Sequence, residues 1–176
     1  MNLYEFEGKQ LFEKYSIAVP RGCVVRRGED VAHAYNGLGI TEVVVKAQVL
    51  SGKRGKNSGI KFCSDTEGVV RAVAELFDLQ IRGQYVAAVR IEEKLSIAKE
   101  HYLSITYDTQ TKQPILVYST QGGMDIEDVA ETEIQKYLLD ARQEKILLNI
   151  PYAQELWNCF LQVDARLVEI NPLVET

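Results

Sequence analysis

The sequence has 176 residues, of which 46% are hydrophobic and 26% are charged, a composition typical of a globular protein with one or two compact units. The formal net charge is −5 and the sequence pI is about 5.2, which argues against a nucleic-acid-binding protein. No apolar run approaches membrane-spanning length, and the N-terminus lacks the basic and apolar parts of a signal peptide. We therefore expect a cytoplasmic protein with neither nucleic acid nor membrane as a partner.

The cysteines and histidines show no catalytic or metal-ligand spacing. Cys23, Cys63 and Cys159 are odd in number and far apart, so we expect three small, buried, apolar side chains. His33 and His101 do not lie near a serine or cysteine nucleophile pattern. We expect His33 on the surface and His101 in a structural role.

Apolar periodicity and capping residues predict alternating helices and strands. The centre of the chain, with a hairpin around 108–114, predicts an antiparallel or mixed sheet rather than a doubly wound one. The sequence predicts helices over 3–15, 30–38, 65–77, 135–146 and 152–163, an acidic helical stretch over 125–131, and strands over 22–25, 43–45, 59–63, 85–92, 101–107, 115–119 and from 166.

A basic, glycine-rich stretch follows the apolar strand at Val43–Val45. Lys46 continues that strand, where a long cation needs an anionic partner, and glycines let backbone N–H groups approach phosphate oxygens. The pattern indicates a cover for a polyphosphate, although it is not the Walker pattern. The alternative is an ordinary solvated hairpin in which Lys46 extends to the sheet edge. The residues of this loop that could contact phosphate are Lys53, Arg54, Gly55 and Lys56.

Three carboxylates and one amide are candidates for polar ligand contacts. Glu169 and Asn171 alternate on the last strand and point to the same side, where their oxygens suit Mg²⁺ together with waters and substrate phosphates. Glu92 and Glu100 end one strand and begin the next, where they would accept hydrogen bonds from ribose or adenine. The alternative is that all four are ordinary surface or turn residues.

Five motifs, in order along the chain, resemble the β subunit of succinyl-CoA synthetase. They are the opening Met-Asn-Leu-Tyr-Glu-Phe-Glu-Gly-Lys-Gln-Leu-Phe, the stretch from Val44 through Lys46 to Arg54-Gly55-Lys56, Ala98-Lys-Glu100, Ser119-Thr-Gln-Gly-Gly123 and Glu169-Ile-Asn-Pro-Leu173. The resemblance runs from the first residue to the last.

This resemblance implies an α/β (α+β) ATP-grasp fold over 1–176, in which a nucleotide lies between two α/β lobes with mixed or antiparallel sheets, the smaller lobe spanning about 22–92. It implies that Lys46 and Lys53–Lys56 contact nucleotide phosphates, that Glu92 and Glu100 face the base and ribose, and that Asn171 binds Mg²⁺ beside Glu169.

The implied reaction is a step of the tricarboxylic acid cycle. Succinate, CoA and ATP or GTP give succinyl-CoA, NDP and phosphate through an acyl phosphate and a phosphohistidine. The histidine and the CoA site belong to a partner α subunit. The implied compartment is the cytoplasm, or the mitochondrial matrix of a eukaryote after removal of a transit peptide.

The sequence also departs from the family. Position 53 is lysine where the family usually has glycine, and the region between Glu133 and Arg166 is shorter by about a helix. The family's following strand, with a Mg²⁺-binding Asp, and its flavodoxin-like CoA-ligase domain are not in this sequence. Three alternatives remain open: a relative of citryl-CoA synthetase or ATP-citrate lyase, another carboxylate ligase with this fold, and a non-catalytic ATP-grasp interaction module.

Overall fold

Two separate hydrophobic cores form in the computed structural model, which describes residues 2–51 and 58–176. They belong to two units. Unit 1 comprises Met1–Gln10 and Val19–Leu95, and unit 2 comprises Leu11–Ala18 and Ser96–Thr176. The boundary at residue 10 falls within helix α1 (Glu5–Lys14), so the first part of this helix is counted with unit 1 and its last turn with unit 2.

Unit 1 is an antiparallel sheet with two helices packed on it. Asp30 caps the first helix by accepting a hydrogen bond from the His33 amide, and Gly39 ends it in the left-handed region. Asp65 caps the second helix in the same way. Among the described residues the sheet order is β1-β6-β2-β3. The elements are β1 (Gly22–Val25), α2 (Val31–Leu38), β2 (Val43–Gln48), β3 (Ile60–Cys63), α3 (Thr66–Phe77), β4 (Gln80–Ile81), β5 (Gln84–Tyr85) and β6 (Ala88–Glu93).

Unit 2 is a second antiparallel sheet with one helix, and its core is centred on the buried rings of Trp157 and Phe160. Among the described residues the sheet order is β10-β7-β8-β9. Two short 3₁₀ turns, Ile126–Asp128 and Glu131–Glu133, stand where the sequence predicts an acidic helix. The elements are β7 (Lys99–Tyr107), β8 (Pro114–Ser119), β9 (Ile134–Leu138), α4 (Ala153–Gln162) and β10 (Leu167–Glu175).

The helix predicted over 135–146 is wrong. Strand β9 occupies its first part and pairs with β8 from Ile134 to Leu138. The following segment has no helical hydrogen bonds, and side chains of α4 bind its backbone instead. The Trp157 indole donates to the Gln143 carbonyl, and Gln154 bonds both the Glu144 carbonyl and the Ile146 amide. These contacts satisfy backbone groups that a helix would otherwise satisfy internally.

The histidines and Cys159 lie where the sequence predicts, whereas Cys23 and Cys63 are less buried than expected. Cys159 is buried, which raises its thiol pKa to about 11, while Cys23 and Cys63 are partly buried, and all three are free. His33 is exposed, and buried His101 bonds both Glu175 and Tyr118 at 2.9 Å. None of the helices in the described ranges has the length and apolar character needed to cross a membrane.

Candidate functional site

The side chain of Lys46 meets two carboxylates. Strand β2 buries Val43 and Val45 completely and leaves the alternate residue, Lys46, half-buried. The Lys46 ammonium lies 2.5 Å from Glu92 Oε1 and 3.4 Å from Glu5 Oε1. The anionic partner that the sequence predicts for this cation is therefore present.

Glu92 is the centre of this arrangement. The residue is only 2% exposed, and its second oxygen, Oε2, lies 2.5 Å from Lys9 Nζ and 2.6 Å from Arg90 Nε. Burial by itself would raise the pKa of Glu92, but the positive charges of Lys46 and Lys9 outweigh it and lower the pKa below its usual range. Glu92 is therefore held as a charged, paired carboxylate.

The first turns of α1 are bound to strand β2 by a buried glutamine. Gln48 accepts a hydrogen bond from the Phe6 amide at 3.1 Å and donates to the carbonyls of Lys46 and Ala47. This contact positions Glu5 and Lys9, one helical turn apart and themselves paired at 2.9 Å. We call the five residues Glu5, Lys9, Lys46, Arg90 and Glu92 the Glu92 cluster.

The predicted phosphate-covering residues Lys53, Arg54, Gly55 and Lys56 lie outside the described residues. Their assignment to nucleotide phosphates stays a prediction.

In unit 2, the carboxylate of Glu169 is held by a tyrosine. Strand β10 pairs with β7 so that Glu169 lies opposite Ser104, and the neighbouring Tyr102 donates a hydrogen bond from its hydroxyl to Glu169 Oε2 at 3.0 Å. Burial is the main cause that raises the pKa of Tyr102, and the negative charge of Glu169 adds to it. Tyr102 therefore remains a proton donor at every physiological pH.

Glu169 differs from Glu92 in its electrostatic surroundings. The partial burial of its carboxyl group raises its pKa, and the negative charges of Glu127 and Asp125 raise it further, while hydrogen bonds from Tyr102 and Asn171 lower it. The net direction is upward. The carboxylate lies in a region of negative potential that would favour a nearby cation.

Asn171 is bound to a glycine turn formed by Gly122 and Gly123. Its side-chain oxygen accepts a hydrogen bond from the Gly123 amide at 2.9 Å, and its amide donates to the Met124 carbonyl at 2.9 Å. The Gly122 amide in turn bonds the Glu100 carbonyl.

Both glycines of this turn are required by the packing. A Cβ at Gly122 would lie closer than 3.0 Å to the backbone of His101. Gly123 has a φ of 73°, and a Cβ there would overlap the carboxylate of Glu100. The predicted site residues Glu100, Glu169 and Asn171 thus adjoin one turn or one strand of unit 2.

The residues present are compatible with a hard cation. No group of three or more His, Cys, Asp or Glu suited to a metal occurs in residues 2–51 and 58–176. Glu169 and Asn171 nevertheless supply a carboxylate and an amide oxygen on one strand, and Mg²⁺ usually takes only one or two carboxylates and completes its shell with waters and phosphates. The donor set fits Mg²⁺ in that mode.

Sequence reasoning missed four residues of these sites: Glu5, Lys9, Arg90 and Tyr102. Arg90 carried a usable signal, because it stands between Val89 and Ile91 in an apolar strand, as Lys46 does in β2. Glu5 and Lys9 carry the i, i+4 spacing of a helical ion pair. Nothing local indicates that Tyr102 meets Glu169, since β7 and β10 are 60 residues or more apart in sequence.

Comparison with known proteins identifies the family. The ATP-grasp domain family matches residues 2–148. The chain belongs to the ATP-grasp family. It is 39% identical, over its whole length, to the β subunit of an ADP-forming succinate–CoA ligase from Methanocaldococcus jannaschii and 36% identical to the corresponding subunit from Bacteroides thetaiotaomicron. It covers 53% and 52% of those proteins, so this ATP-grasp chain spans about half the length of the curated relatives it matches.

Solved structures support the same fold. The chain matches an ATP citrate lyase from Methanothrix soehngenii, in complex with citrate and coenzyme A, with a TM-score of 0.71 at 19% identity, over 99% of this chain and 47% of that one. It matches an acetyl-coenzyme A synthetase of Ca. Korarchaeum cryptofilum, in complex with coenzyme A and Ca-AMPCP, with a TM-score of 0.70 at 14% identity, over 98% and 86%. The predicted ATP-grasp fold, with α/β organisation and antiparallel sheets, is confirmed.

Proposed function

We propose that this ATP-grasp chain is the nucleotide-binding part of an acid–CoA ligase of the succinate–CoA ligase type and that it binds ATP or GTP. The observation that carries the proposal is the 39% identity, over the entire chain, with the β subunit of an ADP-forming succinate–CoA ligase. The Glu92 cluster supports it, because three of its five residues are cationic and Lys46 is the residue that the resemblance assigns to nucleotide phosphates.

The side chains of this chain bind and orient the nucleotide in this proposal. Lys46 supplies a positive charge and N–H donors to phosphate oxygens. The 53–56 segment adds further cations, and Glu92 and Glu100 accept hydrogen bonds from the base and ribose. None of these residues is required to form a covalent bond, because phosphoryl transfer depends chiefly on positioning and charge stabilisation.

Asn171 and Glu169 would hold Mg²⁺, with Tyr102 fixing the Glu169 carboxylate and the glycine turn fixing the Asn171 amide. When bound, the ion neutralises charge on the transferring phosphoryl group.

The complete reaction would form succinyl-CoA, NDP and phosphate from succinate, CoA and NTP. A partner α subunit would supply the histidine that carries the phosphoryl group, and it would also supply the CoA site. We further propose a cytoplasmic location.

Thermal unfolding with added nucleotide tests this function. A ligand that binds the folded chain raises its melting temperature by mass action. We expect ATP or GTP with Mg²⁺ to raise it, and we expect Lys46→Ala to remove most of the rise. Lys94→Ala is the matched control, since Lys94 is an exposed cation of the same unit that pairs with Glu42.

Equal shifts in Lys46→Ala and Lys94→Ala would contradict the assignment of Lys46. No shift at all, in a chain that melts cooperatively, would contradict nucleotide binding and favour a non-catalytic interaction module. Comparison of ATP with GTP in the same series would report the base preference.

A further inference from the structure

The two oxygens of Glu92 have different partners. Oε1 meets Lys46 at 2.5 Å. Oε2 meets both Lys9 at 2.5 Å and Arg90 at 2.6 Å. If Lys46 moved away, Glu92 would still keep two cationic partners on its other oxygen.

The three cations also differ in accessibility and anchoring. The side chain of Lys46 is 22% exposed, that of Lys9 is 15% exposed and that of Arg90 is 7% exposed. Arg90 is additionally fixed through its Nη2, which donates to the Pro20 carbonyl at 2.8 Å. Lys46 is therefore the cation with the best access to a ligand, and Arg90 is the one that the fold holds in place.

This division matters for binding an anion. A buried carboxylate that loses its only cation is strongly destabilised, so a lysine paired with such a carboxylate is not readily available to a phosphate. Because Arg90 and Lys9 still bind Oε2, the Lys46 ammonium can leave Glu92 and bind a phosphate oxygen while Glu92 stays paired.

We propose that Arg90, assisted by Lys9, is a positioning residue that serves as the fixed counter-ion of Glu92 and thereby releases Lys46 to bind the phosphate chain of a nucleotide. The inference rests on the proposed nucleotide-binding function and deepens it. Arg90 contacts Glu92 and the Pro20 carbonyl, and acts on the ligand only through the balance of charges around Lys46.

Isothermal titration with inorganic tripolyphosphate tests this role, because that probe has neither base nor ribose and so avoids the contacts predicted for Glu92 with those groups. We expect Arg90→Met to weaken tripolyphosphate binding about tenfold, the usual scale for one charged hydrogen bond, since Glu92 then holds Lys46 more tightly. Lys9→Met should act in the same direction and disturbs a more exposed side chain.

Two rescue variants separate positioning from a general structural role. Arg90→Lys keeps a cation beside Glu92 and should restore much of the affinity. The double variant Arg90→Met with Glu92→Gln removes the charge that would hold Lys46 and should restore affinity to at least the unaltered level. Lys94→Met is the control for the loss of one positive charge from the unit, and thermal unfolding confirms that each variant is folded.

Each outcome of these measurements either supports or overturns the proposed role of Arg90. Weaker binding by Arg90→Met and Lys9→Met, with recovery in both rescue variants, supports the proposal. If Arg90→Met is unfolded, Lys9→Met and the double variant carry the comparison. Unchanged affinity in the folded single variants overturns it, as does a double variant that stays weak. An unaltered chain that does not bind tripolyphosphate, or a Lys46→Met variant that binds it equally well, overturns the proposed function and this inference with it.

Discussion

Glu92 is buried, whereas Glu169 is an exposed residue whose carboxyl group is only partly shielded, and the two environments shift the pKa values of these carboxylates in opposite directions. Around Glu92, in unit 1, the charges of Lys46 and Lys9 outweigh burial and lower the pKa. Around Glu169, in unit 2, burial dominates, Glu127 and Asp125 add to it, and the pKa rises. The hydrogen bonds that Tyr102 and Asn171 give Glu169 are too weak to reverse that direction.

Under the proposed function, this difference suits the two regions to ligands of opposite charge. In the Glu92 cluster three cationic side chains pair with the carboxylate of Glu92, and an anionic ligand can bind one of these cations. In the region of Glu169 and Asn171, oxygen donors lie in a negative electrostatic potential, and a bound cation would lower the repulsion between the nearby carboxylates. The opposite electrostatic surroundings agree with the roles that the resemblance implies, phosphate binding for residues of unit 1 and Mg²⁺ binding for residues of unit 2.

The largest expected effect is on stability at Glu92. Glu92→Gln leaves Arg90 buried beside an uncharged group and should lower the free energy of unfolding at neutral pH by about 3–5 kcal/mol, the usual cost of removing one partner of a buried ion pair. The matched variant Glu169→Gln, at an exposed residue, should change it by less than about 1 kcal/mol. Urea unfolding of both variants measures the difference, and equal losses would show that the ion pairs of Glu92 contribute no more to stability than the surroundings of Glu169.

The second effect is the pH dependence of that stability. Because the folded-state pKa of Glu92 is lowered, its contribution is fully present above the unfolded-state pKa and is lost as the pH falls through the folded-state value. The difference in free energy of unfolding between the unaltered chain and Glu92→Gln should therefore be constant near neutral pH. It should shrink below about pH 4.5, close to the ordinary pKa of glutamate. Urea unfolding at a series of pH values measures it. A gap that widens on acidification would show that the cations do not stabilise the carboxylate.

The third effect concerns the glycine turn beside Asn171. Gly122→Ala places a Cβ against the His101 backbone and should destabilise the chain by about 1–3 kcal/mol, as overpacking does. Gly8→Ala is the control, because a Cβ at Gly8 in α1 meets nothing within 4 Å; it should stabilise the chain by about 0.5–1 kcal/mol. Thermal unfolding compares the two, and equal behaviour would mean that the turn relaxes at no cost.

The smallest expected effect is on metal affinity in unit 2. Asn171→Ala removes an oxygen donor and its bonds to the glycine turn, and it should weaken Mn²⁺ binding in the presence of ATP about tenfold. Asn171→Asp keeps an oxygen donor and should bind at least as well. Electron paramagnetic resonance of free Mn²⁺ measures the affinity. Exposed Asn149 offers the control variant Asn149→Ala, and a loss as large in this control would remove Asn171 from the metal site.

Much of the fold could be predicted from local signals. The caps at Asp30 and Asp65 fixed the starts of α2 and α3, and Gly39 fixed the end of α2, because each satisfies backbone groups within a few residues. The segment after β9 could not be predicted in this way. Its apolar spacing is compatible with a helix, but Trp157 and Gln154 on α4 bind its backbone, and those contacts depend on tertiary structure.

The site follows the same rule. The need of Lys46 for an anion could be predicted from its place after three valines, since burial alone imposes it. That Glu92 is this anion depends on the pairing of β2 with β6, which sets Lys46 opposite Arg90 and near Glu92. The register between strands that are distant in sequence cannot be read from local sequence patterns. The hydrogen bond between Tyr102 and Glu169 was missed for the same reason.

The three cysteines provide built-in reporters of unfolding for the two units. Cys23 and Cys63 lie in unit 1 and Cys159 lies in unit 2, and burial raises the pKa of all three thiols. A thiol reagent near neutral pH therefore reacts faster when the surrounding unit opens. With the labelled peptides resolved by mass spectrometry, one time course follows the opening of each unit separately, without adding a probe to either.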